Sequence, residues 1–439
     1  MVMSLSSQAK DEKNNMYSYH SPGLSIQQIR TITLFHAMLY FLMLFLSFTM
    51  SVQAQVRGCT DPLANNYNAS ATINDGSCIY QNINLTPEAS INLPAVMRET
   101  SGLILDGDSL WTHNDDADIN LYRFSVHDTA YTSFPLNGAR NIEWEDMSAD
   151  DNYFYVGDFG NNSSGNRKDL NILRVKKSDV YTGILKYDTI RFSYEDQTIT
   201  GSSASNTTDF DCEAMIVLKD SIYLFSKMWT TQKSVIYALP KSPGTYVAQK
   251  RGMLDIGGLI TGATAIEDKR LIILCGYSRI LQPFLYLLYD YPGTAFTEGN
   301  KRKVGLSIPF HQIEGIATQD GLMVYCTNEK LVQSFLEVNQ AMHRISLKQI
   351  TSTYLQGGQT SVTDSDQTMK CFLSNGSSLI LRNSVSMLGE SFVLFNNAGQ
   401  VLHEGIIDSI ETHLSLSAFP TGTYTLLLRQ QSYVFCIVK

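Results

Sequence analysis

The chain has 439 residues, of which 44% are hydrophobic and only 17% are charged, and its formal net charge is −9 at pH 7. An acidic chain of this kind lacks the clustered basic face that nucleic-acid binding needs, so we expect no nucleic-acid partner. The 23 tyrosines and 20 phenylalanines favour an all-β protein with many half-buried strands.

Residues 1–54 are predicted to be a targeting segment, an n-region followed by a signal peptide. Residues 31–50 are almost purely apolar, and the small residues after them suit cleavage after Ala54. The alternative is an uncleaved anchor, because about 20 apolar residues are enough to span a bilayer. Both interpretations predict export from the cytosol, and after cleavage the mature chain would not span the membrane.

Residues 55–81 form a turn-rich module with too few apolar residues to bury a core. A disulfide between Cys59 and Cys78 would supply the missing constraint in an oxidising compartment, worth about 3 kcal/mol for a loop of this size. Asp61, Asn74 and Asp75 offer hard oxygen ligands for Ca²⁺, with a plain structural role as the alternative. The pattern Gly-Cys-Thr-Asp-Pro…Asp-Gly-Ser-Cys at 58–78 resembles a module of secreted and surface proteins in bacteria that use type IX secretion.

Residues 82–350 repeat one unit, in which a polar residue and a small residue precede an apolar strand, a turn and a second apolar strand. Hairpin repeats of this length are typical of four-stranded propeller blades. Strand material left over at 83–96 and 334–347 would pair across the ends, so we predict a β-propeller of six blades, with five or seven as alternatives. The repeats start at Glu99, Glu145, Glu213, Gly262 and Glu314, which are 46, 68, 49 and 52 residues apart by subtraction.

Several motifs of this region resemble a family of secreted propellers that are distantly similar to esterase-like phytases and SdiA-regulated propellers. The family resemblance implies the propeller fold and leaves the activity open. The motifs are residues 111–115 (Trp-Thr-His-Asn-Asp), 144–147 (Trp-Glu-Asp-Met), 157–162 (Gly-Asp-Phe-Gly-Asn-Asn), 211–214 (Asp-Cys-Glu-Ala), 260–263 (Ile-Thr-Gly-Ala) and 312–315 (Gln-Ile-Glu-Gly).

Equivalent acidic residues in several blades would aim carboxylates at one spot of the central channel. Converging carboxylate oxygens, with amide oxygens from Asn114 and Asn328, suit a hard cation, and Ca²⁺ is the predicted cofactor. The alternative is that each acid caps backbone N–H groups of the neighbouring blade. The predicted metal ligands are Glu99, Glu145, Asp146, Glu213 and Glu314.

A catalytic face would need an acid or base and cations for an anionic substrate. His113 or Asp158 would serve as acid or base, and Arg167 and Lys227 as the cations, giving a hydrolase of esters or phosphoesters. The alternatives are a binding propeller for a surface glycan or protein, with aromatic residues such as Trp229 and Tyr277 at its rim, and an inert structural module. Whether the protein is an enzyme therefore stays open.

Residues 351–370 are rich in Ser, Thr, Gly and Gln and are predicted to be a linker. About seven short strands follow in 371–439, as in a small Ig-like β-sandwich. Residues 395–401 (Phe-Asn-Asn-Ala-Gly-Gln-Val) and 414–424 (Leu-Ser-Leu-Ser-Ala-Phe-Pro-Thr-Gly-Thr-Tyr) resemble the type IX secretion C-terminal sorting domain. That resemblance implies the type IX machinery as a partner and a secreted protein or one anchored to the outer cell surface of a Gram-negative bacterium.

Overall fold

A computed structural model gives the fold of the protein over most of the chain beyond the predicted signal. The structure describes residues 55–115, 117–197, 201–333, 336–357, 370–374, 378–382, 391–406, 411–415, 419–428 and 431–437. The predicted signal peptide and residues 358–369 of the predicted linker lie outside the described residues.

Residues 89–346 fold into a β-propeller whose blades are antiparallel four-stranded sheets. In each blade the first strand along the repeat is innermost. Blade 1 consists of Thr100–Asp106, Ser109–Asn114, Asn120–Ser125 and Tyr131–Pro135; blade 2 of Trp144–Ala149, Tyr153–Asp158, Asn171–Lys176 and Tyr187–Tyr194; blade 3 of Asp211–Leu218, Ser221–Lys227, Ser234–Pro240 and Gly244–Leu254; blade 4 of Leu259–Ile266, Leu271–Tyr277, Pro283–Tyr289 and Asn300–Leu306; and blade 5 of Ile313–Thr318, Met323–Asn328, Ala341–Ser346 and Ala89–Asn92.

The described part of the chain closes with five blades, so the prediction of six was wrong. The innermost strands contact one another in the cyclic order of blades 1, 2, 3, 4, 5 and back to 1. Ala89–Asn92 pairs with Ala341–Ser346 and so completes blade 5 instead of starting another. Leu331–Gln333 and Leu336–Val338 form a separate small hairpin. The N-terminal strand closes the ring, which removes a free sheet edge as predicted.

Apolar side chains fill each gap between neighbouring blades, because successive residues of a strand point to opposite faces and both faces of each blade are covered. Five clusters of buried residues occupy the five gaps in the described chain. Cys212, Cys275 and Cys326 are buried free thiols among them, as predicted. Cys371 and Cys436 lie in C-terminal strands whose side chains are outside the described set.

Cys59 and Cys78 form the predicted disulfide, and the module around them packs on blade 4. Asn74 Nδ2 donates to Asp290 Oδ2 and to Asn300 Oδ1, both at 3.0 Å. Asp61 accepts hydrogen bonds from the hydroxyls of Tyr80 at 2.9 Å and Tyr289 at 2.6 Å. The side chains considered for Ca²⁺ at Asp61 and Asn74 therefore take part in docking, and the Asn74 oxygen accepts the backbone N–H of Gly76 at 3.0 Å. Short strands at Arg57–Gly58, Ile73–Asn74 and Asn84–Leu85 complete this region.

Lys348–Gly357 forms helix α1, so residues 351–357, predicted as the start of the linker, continue a helix. Ile350 and Tyr354 are one helical turn apart and both are buried in the cluster between blades 4 and 5. This apolar pair explains why the Ser- and Thr-rich segment is ordered. Three short 3₁₀ turns occur at Ala95–Met97, Lys177–Thr182 and Glu267–Lys269.

The C-terminal part contains seven described strands in two antiparallel sheets, which agrees with the predicted small sandwich. The three-stranded sheet holds Lys370–Ser374, Ser378–Arg382 and Glu411–Ser415; the four-stranded sheet holds Val401–Ile406, Ser391–Asn396, Gly422–Leu428 and Gln431–Ile437. Within the described residues, no helix has the length and apolar character needed to cross a bilayer.

Candidate functional site

A β-bulge recurs near the start of the inner strand in every blade and leaves one extra residue there. A bulge redirects a side chain and is common beside functional sites. When the five inner strands are aligned at their bulges, one residue of each blade falls at the same position, directly before a small or acidic residue. These equivalent residues are Ser101, Glu145, Glu213, Thr261 and Glu314. The spacing pattern thus predicted three of the five positions correctly, and Glu99 lies two residues before its blade's equivalent.

The three glutamates of this ring lie at one end of the channel and are almost fully buried. Glu145, Glu213 and Glu314 are 5%, 2% and 6% exposed. Burial raises the pKa of Glu213 well above its usual range, and the charges of Glu145, Asp211 and Glu314 add to that rise. Burial likewise raises the pKa of Glu145, reinforced by Asp211 and Asp115. We call Glu145, Glu213, Glu314 and the neighbouring Lys227 the channel mouth.

Lys227 is the cation among these carboxylates. Its Nζ lies 2.9 Å from Glu213 Oε2, 4.8 Å from the Trp229 ring centre and 5.3 Å from the Tyr277 ring centre. Burial alone would lower the pKa of Lys227, but Glu213 and then Tyr277 and Glu314 raise it above its usual value. Lys227 is therefore charged and pairs with Glu213, while within the described residues neither Glu145 nor Glu314 forms an ion pair.

Glu314 carries an oxygen without a partner. Among the described residues, no group hydrogen-bonds to Oε2 of Glu314, although the atom is buried. Burial raises the pKa of Glu314, while the charge of Lys227 and hydrogen bonds from Tyr277 and Thr261 oppose that rise. Because a buried carboxylate oxygen without a donor is costly, this atom marks a place that a bound cation or donor would satisfy.

A second acidic group, which we call the rim trio, lies beside the mouth and consists of Glu99, Asp115 and Glu329. One oxygen from each of the three lies within 4.8 Å of the others, and all three side chains are half-buried. Burial raises the pKa of Glu329, and the charges of Glu314, Asp115 and Glu99 raise it further. The rim trio and the mouth therefore belong to one electrostatic network. Glu99, predicted as a ligand, belongs to the rim and not to the ring.

Asp146 points to the propeller axis and is fully buried. Its Oδ2 accepts backbone N–H groups of Met215 in blade 3 at 2.7 Å and Ala263 in blade 4 at 3.2 Å. Its Oδ1 accepts the N–H of Met147 at 2.8 Å. Asp146 thus takes the capping role that the sequence left as the alternative, and both oxygens are occupied. Burial raises the pKa of this carboxyl, and these N–H groups oppose the rise.

His113 is fully buried inside the propeller, and among the described residues no group hydrogen-bonds to its Nε2. It is 0% exposed, and its ring meets the Trp144 ring edge-on at 5.7 Å. Its Nδ1 lies 3.1 Å from the carbonyl oxygen of Asn114, and burial lowers its pKa to about 4. A Cβ added at Gly102 would come within 2.9 Å of Nε2, so the close approach of the inner strand covers the ring. At neutral pH the imidazole is neutral.

Asp158 and Arg167 pair with each other in the Gly-Asp-Phe-Gly-Asn-Asn loop. Arg167 Nη2 donates to Asp158 Oδ1 at 2.9 Å, and Nη1 donates to the carbonyl oxygen of Gly160 at 2.8 Å. Arg167 Nε also donates to Asp169 at 3.2 Å. Burial raises the pKa of Asp158, and Arg167 opposes that rise. These contacts fold the loop against the mouth, where a Cβ on Gly160 would come within 2.0 Å of Glu145 Oε1.

Four carboxylates near the mouth were not among the predicted metal ligands: Glu143, Asp211, Asp115 and Glu329. Asp211 is fully buried and accepts the Trp229 indole N–H at 2.8 Å and the backbone N–H of Asn161 at 2.6 Å. Its negative charge raises the pKa of Glu145 and the pKa of Glu213. Glu143 lies beside Asp211. A signal for the rim existed, since Asp115 and Glu329 each follow an asparagine that ends the second strand of its blade.

No protein-family model matches this chain, and no curated protein matches it. Solved structures resemble it weakly. PorZ, a bacterial surface component of the type-IX secretion system of Porphyromonas gingivalis, is 13% identical with a TM-score of 0.28, and the match covers 77% of this chain and 45% of PorZ. This chain therefore spans less than half of the PorZ chain.

Two enzymes show the same level of likeness. An exo-beta-1,3-galactanase from Phanerochaete chrysosporium is 11% identical with a TM-score of 0.39, covering 80% of this chain and 99% of the galactanase. A gluconolactonase from Xanthomonas campestris is 11% identical with a TM-score of 0.35, covering 67% of this chain and 86% of the enzyme. These likenesses assign no function to the chain.

Proposed function

We propose that the channel mouth binds a divalent cation, Ca²⁺ in the first instance, and that the propeller engages its ligand there. The observation that carries this proposal is the recurring bulge, which brings Glu145, Glu213 and Glu314 to one end of the channel and leaves Glu314 Oε2 without a partner. Carboxylate oxygens are the ligands that Ca²⁺ prefers, and its flexible coordination suits ligands from several strands.

The mouth offers carboxylate oxygens of the kind that such a cation prefers, and among the described residues the three carboxylates that already lie within 4.8 Å of one another are those of the neighbouring rim trio. Lys227 neutralises one of the three mouth glutamates, and the rim trio adds further negative charge beside them. Without a cation, so many buried carboxylates raise one another's pKa and destabilise the fold. Glu145 and Glu314 would hold the ion, Glu213 would be shared between the ion and Lys227, and the rim trio would concentrate cations at the entrance. The bound ion would supply positive charge for an anionic or hydroxylated ligand.

Metal analysis and thermal melting test this proposal. The purified protein should retain Ca²⁺ after gel filtration and lose it to EGTA, with a fall in Tm of about 5 °C, because a ligand at 100-fold above its Kd stabilises by about 2.7 kcal/mol. The variant Glu145→Gln/Glu213→Gln should bind no Ca²⁺. The matched control Asp108→Asn, at an exposed turn of blade 1, should behave like the wild type. A wild-type Tm that EGTA leaves unchanged would contradict the proposal.

Hydrolysis of an ester or phosphoester at the same mouth is the second candidate function. Lys227 favours it, since a charged lysine between Trp229 and Tyr277 would act with a bound cation to attract an anionic substrate once that cation offsets the mouth carboxylates. His113 and the Asp158–Arg167 pair make contacts inside the fold, so the geometry favours binding over catalysis. A screen of p-nitrophenyl esters and phosphates with Ca²⁺ decides: turnover that Lys227→Met abolishes supports the hydrolase, and no turnover leaves the binding function.

We also propose that residues 371–439 direct export by the type IX machinery to the outer cell surface. The support is the resemblance of 395–401 and 414–424 to the sorting domain and the seven strands in two sheets. In a bacterium with that machinery, removal of 371–439 should retain the protein in the periplasm. Surface display of the truncated chain at the wild-type level would contradict the assignment.

A further inference from the structure

A cleft of about 380 Å³ opens between blades 1 and 2, away from the residues of the channel mouth. The second and third strands of blade 1, with Arg123 and Trp111, form one side. The second and third strands of blade 2, with Phe154 and Lys176, form the other. This volume is in the range of small-molecule sites.

Arg123 in this cleft differs from the other half-buried arginines. Arg167, Arg174 and Arg270 each pair with an aspartate at 2.9, 2.8 and 3.3 Å, and Arg344 pairs with Glu88 at 3.4 Å. Within the described part of the chain, no carboxylate pairs with Arg123. Its guanidinium lies 5.6 Å from the Trp111 ring centre and 5.4 Å from that of Phe134. The two rings therefore support the guanidinium, and Arg123 lines the cleft.

The charge around Arg123 favours an anion. The cleft is lined by the cations Arg123, Lys176 and Lys177 and by the aspartates Asp106 and Asp151. Lys177 Nζ lies 2.9 Å from Asp106 and 5.1 Å above the Phe154 ring, so this aspartate is already neutralised. Three cations against two aspartates leave the cleft with a small positive charge on a chain whose net charge is −9, which favours an anionic ligand at this place.

We propose that this cleft binds a small molecule through a carboxylate or phosphate group held by Arg123. The fork of a guanidinium matches both oxyanions with two parallel hydrogen bonds, which lysine does not offer. Lys176 supplies long-range attraction, while Trp111 and Phe154, which are 3% and 1% exposed, form the closed base of the cleft. The site is separate from the cation site and needs neither Ca²⁺ nor the mouth glutamates.

Calorimetric titration of the purified protein with sodium phosphate and with sodium glucuronate tests the site at low ionic strength. At least one of the two probes should bind the wild type, and the affinity of the Arg123→Gln variant for that probe should be at least tenfold lower. The control Arg191→Gln, at an exposed arginine of blade 2 outside the cleft, should leave the affinity unchanged. Binding of only phosphate or only glucuronate identifies the oxyanion, and both outcomes support the site.

Arg123→Lys keeps the charge but loses the fork, so it should also weaken binding, to a level between wild type and Arg123→Gln. If Arg123→Gln fails to fold, Lys176→Gln at an exposed side chain should still weaken binding about twofold to fivefold. Failure of both probes to bind the wild type overturns the proposal. Equal affinity of the wild type and the folded Arg123→Gln variant overturns it as well.

Discussion

Replacing Lys227 by methionine tests how the channel mouth balances its charges. Methionine fills similar volume between Trp229 and Tyr277 but leaves Glu213, whose side chain is 3% exposed, without the Nζ at 2.9 Å. Removing one partner of a buried ion pair costs about 3–5 kcal/mol, because the other charge stays buried. At about 2 °C per kcal/mol for a domain of this size, the Tm should fall by about 6–10 °C.

The loss of unfolding free energy in Lys227→Met should depend on pH, and the pKa of Glu213 fixes the direction. Lys227 lowers the pKa of Glu213, so its loss raises that pKa further above the usual value of 4.5. A carboxyl whose pKa is raised on folding contributes its full stability below the unfolded pKa and loses it as pH rises towards the folded pKa. The Lys227→Met deficit should therefore be smaller at pH 5 than at pH 8.

Chemical denaturation with EGTA at both pH values measures this effect. The double variant Lys227→Met/Glu213→Gln should recover most of the lost free energy of unfolding, since no buried charge is left alone. Lys241→Met is the matched control, because its half-buried pair with Asp150 at 3.0 Å is worth below about 1 kcal/mol. A deficit at pH 8 that is no larger than that of the control, or one that the second substitution does not reduce, would refute the reasoning.

Three further predictions concern the surroundings of the mouth. Gly160→Ala places a Cβ 2.0 Å from Glu145 Oε1. It should lower the free energy of unfolding, measured with denaturant, by about 1–3 kcal/mol and weaken Ca²⁺ binding. The control Gly201→Ala, with open space around it, should change neither quantity. Asp61→Ala removes the acceptor of the Tyr80 and Tyr289 hydroxyls and should lower the free energy of unfolding by about 2–4 kcal/mol, against little change for exposed Asp75→Ala. Burial lowers the pKa of His113 to about 4, so its contribution to stability is present above pH 6.5 and is lost as pH falls to about 4. In His113→Phe the free energy of unfolding should therefore change less with pH over that range. An unchanged slope for His113→Phe, or equal effects in either matched pair, would contradict the corresponding contact.

The blades and their acidic ring were accessible from sequence because both repeat. Apolar hairpins that recur along the chain predicted the propeller, and the acidic residue ahead of the inner strand predicted Glu145, Glu213 and Glu314 as equivalent positions. The pairing of the two leftover segments was predicted correctly, since Ala89–Asn92 joins Ala341–Ser346. The favoured blade number was wrong because Ala341–Ser346 is the third strand of the repeat that starts at Glu314, so the pairing completes blade 5 and adds no sixth blade.

Side-chain roles inside the site were less predictable for a related reason. Asp146 is adjacent to Glu145 in sequence, but side chains alternate along a strand, so Asp146 points to the axis. There its carboxylate accepts hydrogen bonds from backbone N–H groups of two other blades. Arg167 and Asp158 both occur in polar loops, and only the folded loop brings them to 2.9 Å. The rim trio combines Glu99 and Asp115 of one blade with Glu329 of another. Ring closure creates that juxtaposition.

Ca²⁺ titration of the EGTA-treated protein by calorimetry tests the central claim, that the mouth is a cation site. We expect one Ca²⁺ to bind to the wild type, no binding by Glu145→Gln/Glu213→Gln, and tighter binding by Lys227→Met, because a competing positive charge has been removed. Absence of binding to the wild type, or equal binding by the Glu145→Gln/Glu213→Gln variant, would contradict it.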